Sequence, residues 1–111
     1  MSIPAASIPR PGANEYLAYY GKYIALVPDG DLLALLQRQN AETVALLKGV
    51  TPAQADFAYA PGKWTVKEVI GHLIDAERVF SYRAMRFARA DATALAGFDE
   101  NTYVPNGKFG T

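Results

Sequence analysis

A single histidine, His72, stands in the stretch KWTVKEVIGHLIDAERV at residues 63–79. Imidazole is the commonest metal ligand among side chains and titrates near neutral pH, so chemistry is sought here first. Glu68 and Asp75 flank it at i−4 and i+3, which on a helix puts all three on one side. A carboxylate so placed can fix the tautomer of a ligating imidazole from behind. The plainer reading is a rim histidine on an acidic, solvated helix edge. Glu77 is the second candidate. It falls about 40° from the centre of the helix's apolar face at Leu73, near Phe80 and Ala84. A carboxylate buried there needs a partner or a proton. The pattern therefore predicts a buried, hydrogen-bonded Glu77, either structural or catalytic.

The elements that must position these groups are helices. Thr65 and Glu68 form a capping box, and no proline follows for about 25 residues, a helix of roughly 37 Å. Val66, Val69, Ile70, Leu73, Phe80, Ala84 and Phe87 make its apolar face. His72 is expected at that face's boundary, at the edge of a groove with Ala76 and Val79. Upstream, Leu32, Leu33, Leu36, Val44 and Leu47 recur at helical steps, with Asp29 or Gly30 as the cap and Gly49 as the stop. Thr51, Pro52 and Gln54 form another capping box, opening a short turn at 52–57. Pro61-Gly62 marks a loop. Antiparallel helices are thus expected near 31–48 and 65–90. Tyr16, Tyr19, Tyr20 and Tyr23 fall on one helical stripe, which reads as packing or as a stacking surface. The first 14 residues, with Pro4, Pro9, Pro11 and Gly12, read as an extended arm. The tail from Ala90 reads as turn-rich. No strand alternation or repeat is visible, so the class is all-α.

Composition limits the rest. The chain has 111 residues, half of them apolar, with 11 basic and 11 acidic side chains and no cysteine. The balanced charge gives no footprint for nucleic acid or an anionic membrane. Thiolate sites and disulfides are excluded. No apolar run suits a signal peptide or a membrane span, so a cytoplasmic protein is expected. Arg78, Arg83, Arg86 and Arg89 read as a solvated face that complements a helix C-terminus. Phosphate loops, H-E-x-x-H and G-x-S-x-G are absent.

PGKWTVKEVIGHLIDAERVFSYRAMRFARAD, followed by LAGFDENTYV, closely resembles the DinB-like family. That family includes YfiT-type metal-dependent hydrolases and bacillithiol transferases. EYLAYYGKYIALVPDGDLLALL and FAYAPGKW match the same subgroup, so the resemblance runs from about Glu15 to Gly110. It implies a four-helix bundle with a three-histidine site for a divalent metal, usually nickel or zinc. His72 corresponds to the first ligand, and the others come from an H-x-x-x-H helix. It also implies thiol transfer or hydrolysis, with a small thiol or other small molecule as substrate.

This sequence ends at NGKFGT, about where the third helix is expected, and holds neither further histidine. The expectation is therefore an N-terminal arm at 1–28 and a partial DinB-like domain at 29–111, the first half of the bundle. His72 is the metal residue and Glu77 the catalytic candidate. The isolated chain is expected to bind metal weakly and to be inactive. A homodimer is expected, because the long helix carries more apolar face than one partner helix covers. The alternative function is a non-enzymatic, self-associating helical module, and the alternative to the dimer is that the tyrosine segment and the tail from Phe98 to Phe109 fold over the same face within one chain.

Overall fold

The computed structural model describes residues 8–111. Residues 1–7 of the expected arm lie outside the described residues. The chain divides into two compact units, Met1–Gly49 and Val50–Thr111. The described residues hold five α-helices and no strand, an all-α fold. No helix among them is long and apolar enough to cross a membrane.

In the first unit the tyrosine segment forms a 3-10 turn, Ala18–Tyr20, that runs into α1, Gly21–Ile24. Arg10 ties the arm to its end. Its guanidinium donates to the carbonyls of Ile24 and Val27 at 2.9 and 2.7 Å and pairs with Asp29 at 2.8 Å. Asp29 is thereby committed, and the cap of α2, Leu32–Lys48, falls to Asp31, whose Oδ1 accepts from the Ala34 amide at 3.1 Å. The expected cap at Asp29 or Gly30 is corrected by these bonds. Tyr19 meets Tyr20 edge-on, and its hydroxyl lies 3.4 Å from that of Tyr23. That hydrogen bond, reinforced by the nearby phenol charges, raises the Tyr23 pKa. All three rings are exposed, so the stripe is not core packing.

The second unit opens with α3, Pro52–Ala55, then α4, Val66–Ala88, and α5, Glu100–Gly107. Both expected capping boxes form. Thr51 and Thr65 accept from the Gln54 and Glu68 amides, and those two side chains accept from the threonine amides in return. Ala60 to Lys63 turns through Gly62 at φ 75°, with the Lys63 amide bonded to the Ala60 carbonyl. Glycine at the third position suits a type II turn after proline. Lys67 pairs with Asp56 at 3.0 Å, fastening α3 to α4.

Helix α4 runs unbroken through Gly71, and this glycine is its one buried residue. The tail differs from its expectation. Asp99 caps α5 by accepting from the Asn101 amide at 2.9 Å, and Val104 on that helix is the most buried side chain among the described residues at 1% exposed. Pro105 inside α5 removes a backbone donor and hides the helix in the sequence. The Phe109 ring then lies flat against Gly71 and Gly107, so close that a Cβ at either would collide with it.

Gly71 lies about 160° around α4 from Leu73. The tail therefore packs on the side opposite the expected apolar face. His72, Asp75, Val79, Arg83 and Arg86 are half-buried, whereas Leu73, Phe80 and Phe87 are 50%, 58% and 73% exposed. Shape decides this. A glycine admits an aromatic ring, and two arginines hold the following loop by its carbonyls.

Candidate functional site

His72 sits in the second turn of α4, half-buried, although the Leu73 face that it was to border is exposed. What covers it is Trp64, just before the Thr65 cap. The two rings lie 5.0 Å apart at 43°. The capping box sets this geometry, because it fixes where the chain enters the helix and so where Trp64 is held. Sequence reasoning missed Trp64, although its position two residues before the first helical one was the signal. The expected groove differs as well. Val79 lines a hollow of about 320 Å³ with Tyr82, Arg83, Phe98 and Tyr103, and His72 and Ala76 take no part in it.

The flanking carboxylates are engaged elsewhere. Glu68 Oε1 accepts from the Thr65 amide at 3.0 Å, and Asp75 lies 3.9 Å from the Arg78 guanidinium. Catalytic zinc sites keep three protein ligands round one point. Among the described residues no group of three or more histidine, aspartate or glutamate side chains converges in that way. By themselves these residues do not enclose a divalent ion.

Glu77 is corrected in its surroundings. It is exposed, and its partner is the Ser81 hydroxyl, one helical turn on, which donates at 3.0 Å. The face that was to bury it is itself exposed. The arginines are corrected too. Arg83 donates to the Ala96 carbonyl at 2.9 Å. Arg86 donates to the Thr93 carbonyl and to the Tyr82 hydroxyl. Its Nε lies 2.6 Å from Asp91 Oδ2, an ion pair without hydrogen-bond alignment, because that nitrogen is buried without a bonded acceptor. The Tyr82 bond leads the causes that raise the Arg86 pKa. The Thr93 amide, bonded to Asp91 Oδ1 at 3.0 Å, leads those that lower the Asp91 pKa. Arg83 and Arg86 thus hold a loop, whereas Arg78 and Arg89 are exposed as expected.

The larger hollow of this unit, about 540 Å³, lies at the opposite end of α4. Phe57, Tyr59, Trp64 and Val69 form its walls, with Lys63 and Asn101 as its polar members. It adjoins His72 through the shared Trp64 ring.

No curated protein and no solved structure matches the chain. The sequence model of the DinB superfamily matches residues 35–108, well over half of the 111-residue chain. The matched span contains both capping boxes, Trp64, His72 and α5. The chain belongs to the DinB superfamily.

Proposed function

We propose that this chain supplies the leading helices of a DinB-type domain and one imidazole, His72, towards a divalent nickel or zinc centre. As an isolated chain it is catalytically silent in the metal-dependent thiol transfer or hydrolysis that the family resemblance implies. One observation carries this reading: a lone, half-buried imidazole braced by Trp64, with Glu68 hydrogen-bonded to the Thr65 amide and Asp75 facing Arg78 at 3.9 Å. The test supplies nickel or zinc with a small thiol or an activated ester to the chain and to His72→Ala. Equal background rates are expected. Turnover that His72→Ala abolishes overturns the reading.

The exposed Leu73, Phe80 and Phe87 favour a second reading, a self-associating helical module. Apolar area left in water forfeits about 25 cal/mol per Å². Two copies meeting along this stripe recover part of it and form a two-fold pair. Sedimentation at micromolar concentration separates the readings, with a monomer at all concentrations counting against the second.

A further inference from the structure

The 540 Å³ hollow has the size and the mixed lining of a small-molecule site. Three aromatic rings of the single loop that joins α3 to α4 line it. Phe57 follows α3, Tyr59 precedes the Pro61-Gly62 turn, and Trp64 leads into α4. Two of them are held out in water, Phe57 61% and Tyr59 74% exposed. Exposed rings that converge on one concavity offer planar, apolar walls. The polar members are complementary to an acid. Lys63 Nζ rests 5.9 Å from the Tyr59 ring and pairs with no carboxylate among the described residues, and Asn101 adds an amide from α5. The nearby acids are spent, Asp56 on Lys67 and Glu68 on the Thr65 amide. The Lys63 ammonium therefore stands against aromatic walls with no ion-pair partner among the described residues.

We propose that this hollow binds a planar aromatic carboxylate, its ring between Tyr59 and Trp64 and its carboxylate on Lys63. The site uses no metal and does not depend on His72 as a ligand.

Trp64 is the only tryptophan in the chain, so its indole N–H resonance is assigned without ambiguity. The probe is 2-naphthoate, with neutral 2-naphthamide as its match, titrated into the full chain with EDTA present. A saturable shift of the Trp64 resonance is expected, with the acid bound about two- to fivefold tighter than the amide. Lys63→Gln should remove that preference and leave amide binding unchanged. Tyr59→Ala should weaken both probes about three- to tenfold. No saturable shift at millimolar probe, equal binding of acid and amide, or indifference to Tyr59→Ala overturns the proposal. Should a variant fail to fold, the acid and amide comparison on the unaltered chain still decides.

Discussion

The two sides of α4 reverse the ordinary relation between hydrophobicity and burial. One side carries Gly71, His72, Asp75, Arg83 and Arg86, and it is the packed side. The other carries Leu73, Phe80 and Phe87, and it is exposed. The packed side wins through fit. Phe109 seats on a residue without a Cβ, and Arg83 and Arg86 satisfy loop carbonyls that would otherwise need other partners. A hydropathy pattern marks which face can be covered, whereas local shape and backbone donors decide which face the neighbouring chain covers.

The largest effect should come from filling the notch. Gly71→Leu forces Phe109 off α4 and should destabilise the second unit by about 2–3 kcal/mol, read by chemical denaturation. A neutral result would mean that the Gly71 side is not the packed one. Thr65→Ala removes a cap bond and should cost about 1 kcal/mol. It should also loosen Trp64 over His72, which the indole resonance reports. Ala90 ends α4 at φ 52°, with the Ala90 and Asp91 amides bonded to the Phe87 and Arg86 carbonyls. That left-handed position suits glycine, so Ala90→Gly should stabilise by about 0.5–1 kcal/mol, or raise the melting temperature by a few degrees. On the exposed side, Leu73→Gln should change the stability of the dilute chain by less than about 0.5 kcal/mol. If two copies pair there, the same change should abolish any rise of melting temperature with concentration.

The pH response belongs to the packed side. The folded Asp91 carboxyl titrates below its ordinary 3.8, so its contribution is full above that value and is lost as pH falls through the lower, folded one. The loop after α4 should therefore loosen on acidification below about pH 4, and Asp91→Asn should remove that step. Amide exchange of Thr93 and its neighbours, compared between the two chains, checks the sign.

Much of this was legible in the sequence because it is local. Thr51-Gln54 and Thr65-Glu68 each satisfy orphan amides within four residues, so no distant part of the chain can overrule them. The Pro61-Gly62 turn is equally self-contained. His72 is half-buried, but on the packed side and not at the edge of a buried Leu73 face. The errors arose where long-range partners compete. Asp29 goes to Arg10 and leaves the cap to Asp31, a choice fixed by a residue 19 positions away. Asp99 starts a helix that Pro105 conceals. Glu77 was placed correctly on the apolar face, but that face is not buried, so a partner one turn away suffices. Trp64 reached His72 through the geometry of a cap whose consequence for the preceding residue was not drawn.

The proposal that His72 supplies one ligand to a metal centre incomplete among the described residues is tested most directly by metal stoichiometry. The chain is loaded with nickel or zinc, dialysed, and weighed intact by native mass spectrometry beside His72→Ala. The account predicts far less than one metal per chain, with any weak binding lost in His72→Ala. One tightly held ion per monomer, or one full site shared between two copies, would contradict it.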